Sequence, residues 1–289
     1  MSELGGSAAV GSWQFATTIT PLADGYRLDG EKYYCTGTLY SDWTNVFGVL
    51  PDGTPASAVV PVTREGVSLL DDWDGIGQRL TGSGTVRFAR VHVAPDELLR
   101  SAVDSEDGAR QADSADPYLI GQFCQLILTA IIAGVLRNVV DDAVTLVRQR
   151  ARSYAHAAAA SPAADPLLQA IVGELSAAAY AAEALVLAAA QAQDEALAAQ
   201  RDGRAHEALA HQGSLRAAQA KLVVDELAQR AATRLFDVGG SAAVKAAHGY
   251  DRHWRNVRTL ASHNPAAYKA RAIGDYLVNG TRLPNSGFF

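Results

Sequence analysis

The chain has 289 residues, a formal net charge of -6, 48% hydrophobic and 19% charged residues. That is enough for one large domain or two ordinary ones, with the composition of a soluble globular protein. The mild acidity argues against a general nucleic-acid binder, which presents a basic face.

Met1 to Gly6 has neither the basic nor the apolar region of a signal peptide. The first hundred or so residues read as β structure, with strands expected at Gln14 to Thr20, Tyr26 to Leu28 and Glu31 to Thr36. Asp29-Gly30 is a hairpin-turn dipeptide, and Asp52-Gly53 is a second turn signal. Further strands are expected at Asn45 to Leu50, Ser57 to Val62, Val67 to Leu70 and Thr85 to Val93. Short strands at this spacing predict a small antiparallel sandwich or barrel over 1–100. Residues 101–116 carry almost nothing apolar and read as a linker or surface loop.

At Pro117 the period changes. Leu119, Phe123, Leu126, Ile127, Ala130, Ile131, Gly134 and Val135 recur at helical spacing, and the pattern continues to about Ala155 before Ser161-Pro162 breaks it. The longest apolar run, Leu126 to Val135, is too short to cross a bilayer, so no membrane is expected. A second, alanine-rich helix is expected from Asp165 to Gln200 and, after Asp202-Gly203, a third from Arg204 to Phe236. A last short one follows Pro265 and stops at Asn279-Gly280. Residues 117–289 therefore read as an up-down helical bundle, and the whole chain as α+β. Cys35 and Cys124 form neither a metal-ligand spacing nor a disulfide framework, so a reducing cytoplasm fits and no metal is expected.

Three places carry candidate chemistry. Lys32-Tyr33-Tyr34-Cys35-Thr36-Gly37 is expected on a strand, where Tyr34 and Thr36 share a face and could stack on a planar ligand and hydrogen-bond its edge, although the residues alone favour an ordinary half-buried strand. Gly75 to Gly84 is glycine-rich but lacks the Gly-Lys-Ser/Thr of a Walker loop, and a plain β-turn connection is the simpler account. The densest is Asp251 to Pro265, with three arginines, two histidines and a tryptophan, preceded by Gly239-Gly240, which permits close backbone approach to a ligand. Such a cluster is either a solvated basic turn or an anion-holding segment.

In this order, on a β region followed by a helical bundle, these places resemble the acyl-CoA dehydrogenase superfamily. Lys32, Tyr34 and Thr36 match its Lys-x-Trp-Ile-Thr-Asn motif. Gly77-Gln78-Arg79 through Ser83-Gly84-Thr85 resembles its next signature, and Gly239-Gly240 with Arg255-Asn256-Val257-Arg258 resembles its bundle motifs. Asp251 to Thr259, His263-Asn264-Pro265 and Tyr268-Lys269 are most similar to the reduced-flavin-dependent monooxygenase branch. Acyl-CoA dehydrogenases carry a catalytic glutamate nine residues after the first arginine, a position that falls here on Asn264 beside His263.

The resemblance implies a monooxygenase that takes FMNH2 from an NAD(P)H:flavin reductase and uses O2, through a C4a-hydroperoxyflavin. The substrate would be a small organosulfur, aromatic or nitrogen-containing molecule. It implies that His263 lies at the flavin's reactive edge, that Thr36 bonds flavin N5, and that Tyr34 stacks. Arg150, with Arg148 and Arg152 as alternatives, would meet the flavin phosphate, and Gly239, Gly240 and Arg255 would line the cofactor. The family forms homodimers and homotetramers, and it begins with an N-terminal helical domain, whereas Met1 here falls just before the β region. The chain is thus expected to be truncated, to have a misplaced start, or to work with a separate chain supplying those helices. Two alternatives stay open: an FAD-dependent acyl-CoA dehydrogenase using another base, and a non-catalytic or partner-dependent subunit.

Overall fold

The computed structural model describes residues 15–100, 116–285 and 289. They form two compact units, one of residues 15–75 and 79–100, the other of Ile76–Gln78 with the described residues from 116 onward.

The first unit is a seven-stranded sheet of β1 (Thr18–Leu22), β2 (Gly25–Lys32), β3 (Trp43–Val49), β4 (Pro55–Pro61), β5 (Val67–Leu70), β6 (Thr85–Val93) and β7 (Leu98–Arg100). The order is β5-β6-β2-β1-β3-β4-β7. Pairing is antiparallel except between β1 and β3, which run parallel with Thr18 opposite Val49. Along β3, Thr44, Val46 and Gly48 turn inward and Trp43, Asn45 and Phe47 outward, the two-residue alternation of a pleated strand with one covered face. Ile19, Leu28, Val46, Val60, Phe88, Val91 and Val93 meet in the core. Each such side chain contributes about 1.5–3 kcal/mol by leaving water.

Asp29-Gly30 is not a turn. β2 runs straight through it, and the chain reverses at the two-residue loop between paired Leu22 and Gly25. The dipeptide sits at a register shift in the β2–β6 ladder. There the Asp29 carboxylate accepts from the Arg90 backbone N–H at 2.8 Å and the Arg27 guanidinium at 2.7 Å. A Cβ on Gly30 would overlap Thr17. The chemistry that favours hairpins, a short acceptor followed by a residue without a side chain, here serves a bulge. Asp52-Gly53 does turn the chain: Gly53 has φ +87° and Thr54 N–H donates to the Asp52 carboxylate at 2.9 Å. The loop expected at 101–116 lies outside the described residues, apart from Asp116, which opens the first helix.

The second unit contains α1 (Asp116–Gln149), α2 (Pro166–Arg201), α3 (Glu207–Gly239), α4 (Asp251–Ala261) and α5 (Ala266–Asn279). Its core alternates small and larger side chains: Ala143, Ala179, Ala182, Ala228 and Ala231 pack with Leu136, Leu175, Val224, Leu235 and Val257. α1 stops at Gln149, short of the expected Ala155, because Arg150 folds back: its Nε donates to the Arg152 carbonyl at 3.1 Å and its Nη1 to the Val238 carbonyl at 3.2 Å. Asp165 caps α2 by accepting from Leu167 N–H at 2.9 Å, with Pro166 in the first turn. Gly203 (φ +66°) and Gly280 (φ +76°) supply the left-handed residues that end α2 and α5.

Two helical segments, Gly121–Gln149 and Pro166–Arg201, are by length and composition apolar enough to cross a membrane. Reading the longest uninterrupted apolar run missed this, because alanine makes both segments apolar without making either a continuous run of large side chains.

The stretch 251–265 is the main departure from expectation. It is mostly helix, not a basic turn: α4 buries His253, Val257, Leu260 and Ala261, spaced four, three and one residues apart on one face.

Candidate active site

In the β unit, the segment after Lys32 is a turn rather than the expected strand. Tyr34 adopts φ +55°, a left-handed conformation unusual for a side chain of its size, and Gly37 φ +86°. The turn is pinned to 82–84 by three backbone bonds: Cys35 N–H to Gly84 O at 3.0 Å, and Gly37 and Leu39 N–H to Gly82 O at 3.1 and 3.3 Å. Tyr34 is therefore held exposed, its ring edge-on to Trp73 at 6.2 Å between centroids. The Thr36 hydroxyl accepts from Ser83 Oγ at 2.9 Å, and Ser83 Oγ lies 2.8 Å from Thr81 Oγ1. Thr36's own hydrogen reaches only a 3.5 Å contact with Tyr34 O, so it remains able to donate outward. The structure thus gathers Tyr34 and Thr36 with the hydroxyls of the glycine-rich stretch. It does so through a turn, so strand alternation is not what aligns them.

In the helical unit, Ile76–Gln78 docks on α4. A Cβ on Gly77 would fall inside contact distance of the Arg255 carbonyl, and Gln78 N–H donates to Asn256 Oδ1 at 2.7 Å. Glycine at 77 is explained by backbone approach to a helix, not by a phosphate.

The arginines of α4 are largely held by protein. Arg252 pairs with Asp142 at 2.7 Å, Arg255 with Asp251 at 2.6 Å, and Arg258 donates to Gln229 Oε1 at 2.9 Å and Ser262 Oγ at 3.0 Å. His253 is buried and its Nε2 lies 2.7 Å from the same Asp142 carboxylate. Burial holds its pKa below the ordinary histidine value despite that carboxylate. The anion this stretch was expected to seek is in part the chain's own Asp142 and Asp251.

Arg150 and Gly239-Gly240 do come together. Arg150 bonds the carbonyl just before the pair and lies over the Tyr154 ring, and the Tyr154 hydroxyl sits where a Gly240 Cβ would approach to 3.0 Å. Gly239 packs on Leu146 and Ala243. Arg148 and Arg152 are exposed on either side.

His263 and Asn264 form the turn between α4 and α5. The Asn264 amide donates to Gln125 Oε1 of α1 at 3.0 Å. His263 is an exposed residue, and its ring makes no hydrogen bond among the described residues. Protein crowded around its covered side, and then the Lys221 and Lys269 ammonium groups, push its pKa below the usual histidine value. The neutral imidazole is therefore the dominant form at neutral pH.

Three buried charged groups surround this turn: Lys269, which lies in the Tyr268-Lys269 motif, and Lys221 and Asp225, which no motif marks. Lys221 is buried on α3 and pairs with Asp225 at 2.7 Å. Lys269 is buried on α5, with its Nζ 4.2 Å from the Phe289 ring centroid. Burial lowers the Lys269 pKa to about 8 and raises that of Asp225 above the usual carboxylate value. Their signal was present: Lys221 and Asp225 stand four residues apart on the stripe that also carries Ala217, Ala218, Val224 and Ala228, where an apolar residue is expected.

Residues 126–267 match the family described as acyl-CoA dehydrogenase, C-terminal domain. Over 285 residues the chain is 33% identical to dibenzothiophene monooxygenase of Mycolicibacterium goodii, an alignment covering 94% of this chain and 66% of that protein. It is 30% identical over 281 residues to the probable FMNH2-dependent monooxygenase SfnC of Pseudomonas putida, covering 94% and 67%. The FMN-bound crystal structure of TdsC from Paenibacillus sp. A11-2 superposes with a TM-score of 0.86 at 32% identity, over 98% of this chain and 71% of that one. The chain belongs to the acyl-CoA dehydrogenase superfamily, in its dibenzothiophene monooxygenase-like branch. The superfamily fold expected from the sequence is thereby established. The chain spans about two thirds of the length of these curated relatives. Position 264 of this chain is an amide committed to Gln125.

Proposed function

We propose that the chain is the oxygenating component of an FMNH2- and O2-dependent monooxygenase acting on a small organosulfur compound, with aromatic and nitrogen-containing molecules as further substrate classes. The observation that carries this reading is the 263–264 turn. Dehydrogenation of an acyl thioester needs a base for the α-proton, and position 264 offers an amide. Asp225, the carboxylate of that cluster, is bound by Lys221. The titratable group presented on the turn is the imidazole of His263.

The donor set fits FMN. An exposed, flat Tyr34 and an outward-donating Thr36 hydroxyl suit an isoalloxazine, and Arg148, Arg150 and Arg152 suit a phosphate monoester. Arg150 has already committed Nε and one Nη1 hydrogen to carbonyls, so Nη2 and the second Nη1 hydrogen are what it has left to offer. Reduced FMN supplies the electron pair that activates O2. Thr36 orients the ring edge as a donor whose oxygen is fixed by Ser83. Tyr34 covers a ring face and excludes water. His263, neutral at working pH, holds a proton at one ring nitrogen and presents a lone pair at the other, so it can donate to a developing oxyanion or accept from a bound substrate. Gly239, Gly240 and Arg255 are the further residues we assign to the cofactor.

Reduced FMN requires a supplier, which we assign to a separate NAD(P)H:flavin reductase; FAD is the less favoured cofactor. We place the protein in the cytoplasm, and assign the middle β domain to 1–100 and the C-terminal bundle to 117–289. A homodimer or homotetramer is supported by the apolar side chains Phe123, Ile127, Ile131, Tyr180 and Leu187, all exposed on α1 and α2.

The test is oxygenation of dibenzothiophene by the full chain with photoreduced FMN and O2, read by product mass. A product heavier by one or two oxygen atoms supports the reading. Reduction of oxidised flavin by an acyl-CoA, with no oxygenated product from any of the three substrate classes, overturns it.

A further inference from the structure

The turn that carries His263 is tethered on both sides of the histidine, to two different helices. Just before it, the Ala261 carbonyl accepts from Lys221 Nζ of α3 at 3.2 Å. Ser262 Oγ accepts from Arg258, which in turn donates to Gln229 of α3. Just after it, Asn264 donates to Gln125 of α1, whose own amide nitrogen lies 3.3 Å from Thr129 Oγ1. His263 N–H itself donates to Leu260 O at 3.1 Å. An ammonium at the end of α4 also satisfies a last-turn carbonyl that has no partner within the helix, at the negative end of the helix dipole.

Lys221 is an expensive way to hold a carbonyl. It is 1% exposed and Asp225 7% exposed, and an apolar pair of similar volume is commonly as stable as a buried ion pair. Asp225 keeps one carboxylate oxygen, Oδ1, with no partner, although it is buried. A second ammonium, Lys269 of α5, is 2% exposed in the same cluster. Two buried cations against one carboxylate leave an excess positive charge facing the imidazole. The charges acting on His263 include the ammonium groups of Lys221 from α3 and Lys269 from α5, while Lys221, Lys269 and Arg258 of α4 act on Asp225.

We propose that Lys221, buried against Asp225, is a positioning residue for the oxygenation reaction: through the Ala261 carbonyl it fixes the turn that presents His263, with Lys269 the second cation of the same cluster. The inference rests on the monooxygenase reading for its catalytic consequence, but not for its effect on the ring. It explains why an alanine-rich bundle retains an internal ion pair on a helix that otherwise buries mostly small apolar groups.

The test uses the full chain. The histidine ring signals are titrated by NMR without flavin, His263 being assigned by the signal lost in His263→Gln. Lys221→Met/Asp225→Leu removes both charges together and leaves none orphaned. The His263 midpoint is expected to rise by about 0.5 pH unit or more, because an untethered turn frees the ring from the burial that most depresses its titration. With photoreduced FMN and O2, productive oxygenation at neutral pH is expected to fall about tenfold, with H2O2 released instead and FMN affinity within about threefold of the parent. Lys269→Met, which removes the other cation, is expected to raise the midpoint in the same direction and carries the titration arm if the double variant gives no dispersed spectrum. An unchanged midpoint overturns the inference whatever happens to activity, since a packing role alone would leave the ring's titration where it is. If His263→Gln oxygenates as well as the parent, the monooxygenase role of His263 fails, while the flavin-free titration still decides whether Lys221 and Lys269 govern the ring.

Discussion

Lys269→Met should make the protein more stable at neutral pH. Lys269 is 2% exposed, and burial, followed by the charge on Lys221, lowers its pKa from 10.5 to about 8. At 1.36 kcal/mol per unit, that drop means that keeping the charge buried at pH 7 costs about 3 kcal/mol. The folded-state pKa lies below the unfolded value, so the unfolded chain binds the proton more tightly. The group's stabilising contribution is complete only above pH 10.5 and is lost as pH falls through about 8. Methionine keeps an unbranched chain of similar length without the charge. It forfeits the ammonium–ring contact with Phe289, worth about 1 kcal/mol, so the net gain at pH 7 is about 2 kcal/mol. Urea unfolding measures it: the midpoint should rise with an unchanged m-value, and the gap between variant and parent should narrow as pH is raised to about 9.5. A destabilised variant at pH 7, or a gap that does not change with pH, would refute the assignment of Lys269 as a desolvated cation.

Two further substitutions probe how the site is supported. Asp142→Ala strands the buried His253 ring and the Arg252 guanidinium together, so it should cost about 2–3 kcal/mol in denaturant unfolding at pH 7. Because burial depresses the His253 and His211 pKa values below 6.5, both histidines fold neutral; the parent's thermal midpoint should hold above pH 6.5 and fall as acid drives the pH toward their folded values. Gly77→Ala forces a Cβ into the Arg255 carbonyl and should cost about 1–3 kcal/mol, freeing the Ile76–Gln78 segment so that trypsin cleaves after exposed Arg79 faster than in the parent.

Much of the architecture could be read from side-chain period alone. Val67–Leu70 and Thr85–Val93 were legible to the residue, and the three long helices were legible because they carry buried stripes at helical spacing. What escaped was structure in which one residue type serves two geometries. Asp-Gly reads as a hairpin and here forms a bulge, since only the partner strand determines which. α4 was hidden by its charges: three arginines drew the eye from His253, Val257, Leu260 and Ala261, whose spacing is helical. The proposed site was legible only as a set of segments, because Tyr34, Thr36 and His263 fall in motifs. The residues that hold it were not, because Asp142, Gln125 and Lys221 lie 111, 139 and 40 residues from the α4 and turn residues they bond. Contacts of that range leave no local pattern.

The most direct test of the account is a single assay on His263→Ala with photoreduced FMN, O2 and dibenzothiophene. The account predicts that FMN affinity stays within about threefold of the parent while oxygenated product falls at least about a hundredfold and the reducing equivalents appear as H2O2. Product formation equal to that of the parent would contradict it.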